Sequence, residues 1–276
     1  MSAVDSFRYD GRRALVVGGA TGMGAAVAEL AVDAGAQVVV MDRAQVTQPG
    51  VEAIALDLSD RGSVDAALES LAGPIDVLFS CAGVADGTPG IERINFIGHR
   101  YLIDRLVERG WLTRGGAIGM ISSAAGLGWE AELDVLLEFL AITDWDEAVA
   151  WVEAHGKADY LSMKRAMCAY VASQARPMLA RGIRINAVCP GPTDTPLARA
   201  NSEMWLDFGA DYREAVGIEP STPAEQAAVL VFLCSAAASA VNGQTVVSDA
   251  GHLASGLSHD FEPAIPVAEF LYGRFG

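Results

Sequence analysis

A chain of 276 residues, 51% of them hydrophobic and with a mean hydropathy of +0.28, is long enough to bury a large core in one α/β domain. Its 35 acidic against 19 basic residues give a formal charge of −16, a field that repels phosphates and excludes nucleic acid as a partner. The apolar runs, such as 15–17, 38–41 and 229–234, fall far short of the ~20 residues that span a bilayer, and the opening MSAVDSFRYDGRR lacks the apolar region of a secretory signal, so cytoplasmic residence without membrane association is expected.

Ala14–Val17 reads as a strand that runs into Gly18-Gly19-Ala20-Thr21-Gly22-Met23-Gly24 and then into a helical pattern closing at Gly35. Glycine at 18 suits a tight turn, at 22 a close approach of backbone to a pyrophosphate, and at 24 close packing of helix on sheet. The N–H groups opening that helix suit the phosphates. The next strand, Gln37–Met41, ends on Asp42, which is placed to accept both ribose hydroxyls of an adenosine and to repel a 2′-phosphate, favouring NAD over NADP. Arg43 beside it is of the type that accommodates a 2′-phosphate, or else a surface charge. A third strand, Glu52–Leu56, leads to Asp57-Leu58, where Asp57 suits either the adenine amino group or the turn before a helix at 63–72 capped by Ser59 or Asp60.

Ile75–Phe79 is the fourth strand, continuing into Ser80-Cys81-Ala82-Gly83. A long helix follows from Pro89 to Gly110 with Asn95 in its middle, a residue that there either faces solvent or has work for its amide. Gly116–Ile121 is a fifth strand ending on Ser122-Ser123, at the edge where open α/β sheets bind ligands. The stretch 127–156 has helical periodicity in two pieces, Glu132–Leu140 and Trp145–His155, the second capped by Thr143 or Asp144. The main helix runs on to Arg181 with Pro177 inside it, and Ile183–Val188 is the sixth strand. After the loop Cys189-Pro190-Gly191-Pro192-Thr193-Asp194-Thr195 comes a mobile helical lid at about 195–218, then a helix Pro223–Ala237 capped by Thr222 and a last strand Gln244–Ser248. The tail 251–276 has no strong period. Trp129, Trp145, Trp151 and Trp205 suit core or lid packing, or an apolar pocket. Alternating strands and helices predict a doubly wound parallel sheet.

Tyr160 and Lys164 lie one helical turn apart on the same face, and an ammonium beside a phenol favours the phenolate and lowers its pKa. Cys81, Cys168, Cys189 and Cys234 show no CxxC spacing and the four histidines are scattered, so reduced core thiols and no metal site are expected.

Together, VVGGATGMG, Asp42, SCAG, Asn95, ISSAAG, YLSMK and CPGPTDTP resemble the short-chain dehydrogenase/reductase family in order and approximate spacing, over about Arg13 to Gly251. The resemblance implies a single domain with a seven-stranded Rossmann-like sheet, hydride exchange between an alcohol and a ketone, and a homodimer or homotetramer. By position Tyr160 is the proton carrier and Lys164 lowers its pKa and holds the nicotinamide ribose. Ser123, rather than Ser122, bonds the substrate oxygen, and Asn95 anchors a water that links Lys164 to solvent. The cofactor is held by the glycine turn (Gly18, Ala20, Thr21, Gly22, Met23, Gly24), by Asp42, Arg43, Asp57 and Leu58, by Cys81, Ala82 and Gly83, and by Pro190, Gly191, Thr193 and Thr195, with Thr195 or its competitor Thr193 on the carboxamide.

Three departures stand out: Val17 where the family usually has threonine, Ser80-Cys81 for the common Asn-Asn, and 37 positions between Ser123 and Tyr160 where about a dozen are common. The insertion resembles the bacterial 3α-hydroxysteroid dehydrogenase/carbonyl reductase branch and is expected to cover the helices that many relatives use to form tetramers, or to be an extra lid. The implied function is an NAD(H)-dependent oxidoreductase for a secondary alcohol or ketone on a ring such as a steroid, terpenoid or cyclic diketone. An NADP-dependent carbonyl reductase, a dihydrodiol dehydrogenase and a non-catalytic nucleotide-binding regulator are the alternatives.

Overall fold

In a computed structural model that describes residues 4–71 and 73–273, with the side chains of Glu203 and Met204 outside the description, the apolar runs become strands β1 (Arg13–Val17), β2 (Gln37–Asp42), β3 (Val51–Ala55), β4 (Ile75–Ser80), β5 (Leu112–Ile121), β6 (Arg184–Pro190) and β7 (Thr245–Ser248). They pair in parallel in the order β3-β2-β1-β4-β5-β6-β7. Central strands buried on both faces explain their unbroken apolar runs, whereas the edge strands β3 and β7 are half-exposed. β5 starts four residues before the expected Gly116, because Leu112 pairs with Ile75 across a register shift and Thr113 Oγ1 donates to Asp76 Oδ1 at 2.6 Å.

The helices are α1 (Gly22–Asp33), α2 (Arg61–Leu71), α3 (Gly98–Glu108), α4 (Leu133–Ala141), α5 (Trp145–Ala154), α6 (Tyr160–Ala180), α7 (Pro196–Arg199), α8 (Ser202–Trp205), α9 (Ala210–Val216), α10 (Pro223–Cys234), α11 (His252–Leu257) and α12 (Ile265–Tyr272). Apolar side chains of α1 and α10, among them Val27, Ala31 and Leu230, form one core with Val16, Val40 and Phe79. The other face is covered by α2, α3 and α6, whose Leu68, Ile103 and Met167 share a core with Leu15, Leu78 and Ile118. β1 lies between β2 and β4, so successive connections leave it on opposite sides and a crevice opens at the carboxyl ends of those strands. Among the described residues no helix is long and apolar enough to cross a membrane.

The two helices of the insertion form as expected, and Asp144 is the cap of the second: its Oδ1 accepts from the N–H groups of Asp146 and Glu147. They pack onto the main body rather than project from it. Phe139 stands 5.5 Å from Phe96, Trp145 meets Tyr101 edge-on at 5.5 Å, and both are buried. Glu132 ties the segment to α6 by an ion pair with Arg165 and to the turn before that helix by one with Lys157 at 2.7 Å. Thr222 caps α10 in a reciprocal arrangement with Glu225.

Besides the start of β5, four further features differ from the sequence pattern. The helix expected from Pro89 opens with a π-turn at Arg93–Ile97 that swings Asn95 inward. The lid is three short helices, fastened by Arg213 to the carbonyls of Phe208 and Leu206 and by Tyr212 to that of Ala250. The tail without a period forms α11 and α12, which tertiary packing stabilises: Leu253, Ala268 and Leu271 share a core with Leu127 and Cys168. α10 stops at Cys234, where Ser235 caps a short 3₁₀ turn instead of continuing to Ala237. The helix end expected at Ala72 and the tail's final 274–276 lie outside the described residues.

Candidate functional site

The turn after β1 is shaped by what its glycines exclude. At Gly18 φ is +82°, and a Cβ would lie 2.4 Å from the backbone of Ala82; at Gly24 a Cβ would lie 2.0 Å from the carbonyl oxygen of Gly18. A side chain at Gly18 would push the turn away from the segment after β4, and one at Gly24 would push α1 off the turn. No side chain caps α1, so its first N–H groups are available to an anion in the crevice. The crevice, about 280 Å³, is lined by Gly18, Thr21, Gly22, Met23 and Gly24, by Asp42, Arg43, Asp57 and Leu58, and across from them by Cys81, Ala82, Gly83 and Thr195. Bare glycine backbone, uncapped N–H groups and a carboxylate at the end of the next strand fit a dinucleotide.

Asp42 has a second task that the sequence did not reveal. Its Oδ2 accepts from Ala20 N–H at 2.9 Å and its Oδ1 from Ala44 N–H at 2.8 Å, so it braces the glycine turn. Each oxygen keeps a further lone pair for a ribose hydroxyl. Ala20, expected at the cofactor, instead spends its N–H on Asp42 and does not line the crevice. Asp57 accepts from Ser59 N–H and Oγ–H, which holds its carboxyl below the usual range; it serves the turn and also lines the crevice. Asp60, not Ser59, precedes α2 and accepts from Gly62 N–H.

Behind the crevice, Ser80 and His99 explain how the strand end holds its shape. His99 Nε2 bonds the Ala82 carbonyl at 3.0 Å, and since a carbonyl only accepts, that nitrogen carries the proton. Nδ1 therefore accepts from Ser80 Oγ–H at 2.8 Å, and burial keeps the ring neutral by pushing its pKa down to about 4. Asn95 is fully buried, not a surface amide: Oδ1 accepts from Val84 N–H and Nδ2 donates to Val84 O. A Cβ at Gly83 would sit 3.5 Å from Asn95 Oδ1 and 3.7 Å from Lys164 Nζ, so both groups flank one small space.

A second cavity of about 380 Å³ adjoins the crevice and shares Met23, Cys81, Gly83, Thr195 and Leu197 with it. Ser123, Tyr160 and Lys164 all line it, as do Pro190, Gly191 and Thr193. Ser123 extends from the end of β5, and Asp159 caps α6 so that Tyr160 is its first residue. Ser122 also borders the cavity, but its hydroxyl is taken up by the Lys164 carbonyl, to which it donates at 3.0 Å. Thr193 Oγ1 donates to the Gly191 carbonyl, while Thr195 caps α7 and lines both cavities, which favours Thr195 over Thr193 at the cofactor.

The expected lowering of the Tyr160 pKa by Lys164 is not found. Desolvation is the largest effect and pushes the phenol up to about 12, with the Ser123 hydroxyl pulling it partly back. Lys164 Nζ lies over the tyrosine ring, 5.5 Å from its centre, and donates to Ile121 O at 2.9 Å. Burial lowers the ammonium itself to about 8. Proximity by helical spacing is thus realised, but the low-dielectric surroundings outweigh the charge.

Sequence reasoning did not single out Leu56, Val84 and Ile94 in the crevice, or Asp86, Phe208, Phe270 and Leu271 in the second cavity. The first group are neighbours of recognised motifs; the second lie on irregular or aperiodic segments without a pattern to find them. Trp205 lines the second cavity, 5.1 Å from the Tyr160 ring, whereas Trp129, Trp145 and Trp151 belong to the packing of the insertion.

A family model described as short chain dehydrogenase matches residues 12–131, and one described as enoyl-(acyl carrier protein) reductase matches residues 142–252. Coniferyl-alcohol dehydrogenase of Pseudomonas sp. (strain HR199 / DSM 7063) is 29% identical over 250 residues, covering 87% of this chain and 96% of that protein. Cis-4-hydroxycyclohexanecarboxylate dehydrogenase of Sinomonas cyclohexanicum is 30% identical over 257 residues, covering 88% and 97%. The crystal structure of the 3-alpha-hydroxysteroid dehydrogenase from Pseudomonas sp. B-0831 complexed with NADH superposes with a TM-score of 0.71 at 30% identity, covering 90% of this chain and 98% of that one.

Replacing Gly24 by Ala should weaken dinucleotide binding by roughly tenfold or more, about 1.4 kcal/mol, because α1 has to shift away from Gly18. Fluorescence titration with NADH checks this, and unchanged affinity would show that the turn does not hold the cofactor.

Proposed function

Because the chain belongs to the short-chain dehydrogenase/reductase family, we propose that it is an NAD(H)-dependent oxidoreductase interconverting a secondary alcohol and a ketone carried on a ring. The observation that carries this reading is the meeting of the Ser123 hydroxyl and the Tyr160 phenol in a cavity continuous with the glycine-walled crevice.

Bound in the crevice, a nicotinamide supplies or accepts the hydride, and its cationic oxidised ring favours a tyrosinate. The residues of this chain manage the oxygen. In reduction the carbonyl oxygen gains negative charge, which the donors on Ser123 and Tyr160 stabilise, and Tyr160 then gives up its proton to complete the alcohol. In oxidation tyrosinate takes the alcohol proton. With the cofactor bound, Lys164 would hold the nicotinamide ribose, Asn95 would anchor a water linking that ammonium to solvent, and Thr195 would contact the carboxamide.

Asp42 at the ribose position supports NAD, while the exposed Arg43 beside it is the one feature that favours an NADP-dependent carbonyl reductase. The four cysteines, spread through the chain without CxxC spacing and three of them buried, suit a reducing compartment such as the cytoplasm. The insertion occupies the outer faces of α3 and α6, which supports a homodimer through α10 and β7 rather than a homotetramer. Phe232, 38% exposed on α10, belongs to that surface.

Tyr160→Phe should lower kcat by roughly 10²–10⁴-fold while NADH affinity stays within about threefold. The phenol stands above its ordinary value, at about 12, so the tyrosinate fraction grows throughout the accessible range. Alcohol oxidation should therefore climb with pH from 6 to 10, by up to about tenfold per unit, whereas reduction, which uses the protonated phenol, should not. An oxidation profile flat over that range would remove Tyr160 as the base. NADH should be preferred to NADPH in the same assay, and equal kcat/KM for the two would overturn the role given to Asp42. Light scattering should show a dimer; a tetramer that survives dilution would sink the covered-face argument.

A further inference from the structure

The cavity beside Ser123 and Tyr160 is walled by large apolar side chains on the side of the lid and α12. Trp205 is inclined 44° to the Tyr160 ring, Phe208 follows it in the lid, and Phe270 and Leu271 reach in from α12, far away in sequence. Phe270 is 67% exposed, a large apolar side chain left open beside a cavity. Met23, Cys81, Gly83 and Thr195 belong to the crevice as well, so part of the 380 Å³ faces the cofactor and the remainder suits roughly one or two rings.

Charge is the deciding feature. Among the described residues that line the cavity the only cation is Lys164, and its ammonium already donates to Ile121 O. The other two charges are negative. Asp159 spends its oxygens on Ser162 N–H and Oγ–H, and Asp86 accepts from Tyr160 N–H with one oxygen. A carboxylate or phosphate on the substrate would lose its water, find Lys164, beside the reacting pair, as its single cation among the described lining residues, and face two anions in a protein of net charge −16. A polyol would strip several hydroxyls of water with few partners beyond the reacting pair and Asp86.

We infer that this chain selects neutral alcohols and ketones on apolar rings, and that Trp205, Phe208 and Phe270 form the enclosure that does so, to the exclusion of carboxylate-bearing and polyhydroxylated substrates. The inference rests on the oxidoreductase reading above. Selection works through two opposite effects: burial of the ring against aromatic faces is favourable, and an uncompensated charge at the same place is not.

The test compares three ketones with NADH: 4-methylcyclohexanone, 4-oxocyclohexanecarboxylate and fructose. The neutral ring should exceed each of the others by at least 100-fold in kcat/KM, about 2.7 kcal/mol. Phe270→Arg, a change at an exposed position that the fold tolerates, should raise kcat/KM for the carboxylate at least tenfold and lower that for the neutral ring. Without turnover, 4-methylcyclohexanone should quench tryptophan fluorescence in the native protein and not in Trp205→Phe. A carboxylate or sugar used within about threefold of the neutral ring, or an unmoved ratio in Phe270→Arg, would overturn the substrate class while leaving the oxidoreductase reading in place. If NADH binds and none of the three is reduced, the oxidoreductase reading fails and the substrate class falls with it.

Discussion

Every part of the site depends on β1 having a parallel neighbour on each side. With β2 to one flank and β4 to the other, no helix can cross the carboxyl end of β1, and a crevice is left there that the chain lines with glycine turn, Asp42 and the segment 81–83. The same geometry sends β5 beside β4, which sets Ser123 at the crevice's inner end, and β6 beside β5, which delivers the Pro190–Thr195 loop across its mouth. The sheet order therefore decides which residues meet, and side-chain chemistry decides what they do once there.

Several polar groups that look like chemistry are used to hold backbone. Asp42 braces Ala20 and Ala44, Asn95 clamps both ends of the Val84 peptide, and the Ser80–His99 pair fixes Ala82. Each lies within reach of the crevice, and each is buried or half-buried, where an unsatisfied polar atom is expensive. At Ser80-Cys81, where the family commonly has Asn-Asn, the strand end is tied to the adjoining helix by a neutral imidazole, His99, which bonds both Ser80 and the Ala82 carbonyl.

The strand-helix alternation, the glycine turn and the relation of Tyr160 to Lys164 were legible because short-range periodicity and motif order encode them. Ser123 was singled out only through the register of its motif, since Ser122 is chemically identical and borders the same cavity; what distinguishes Ser122 is that its hydroxyl is used on the Lys164 carbonyl. In the lid and in the tail after Gly251 the signal fades, although α10 with its Thr222 cap and β7 between them remained readable. The three short lid helices and α12 owe their form to contacts with distant segments, such as Leu271 with Leu127 and Cys168, which leave no local pattern. Electrostatics was the other blind spot: helical spacing brings the ammonium to the ring, but how dry the surroundings are, and hence which way the phenol's pKa moves, is a property of the assembled cavity.

The burial of Lys164 has a consequence for the molecule's robustness. A lysine held at about 8 instead of the ordinary 10.5 makes the folded state weaker for as long as the group is charged, by roughly 3 kcal/mol at neutral pH, and the penalty fades only as pH rises between those two values. That is a sizeable share of the ~5–15 kcal/mol separating a folded domain from its unfolded chain. Two apolar layers, one on each side of the sheet, are what let the scaffold tolerate such a tenant, so the thick core is a precondition for keeping a desolvated ammonium where chemistry needs it.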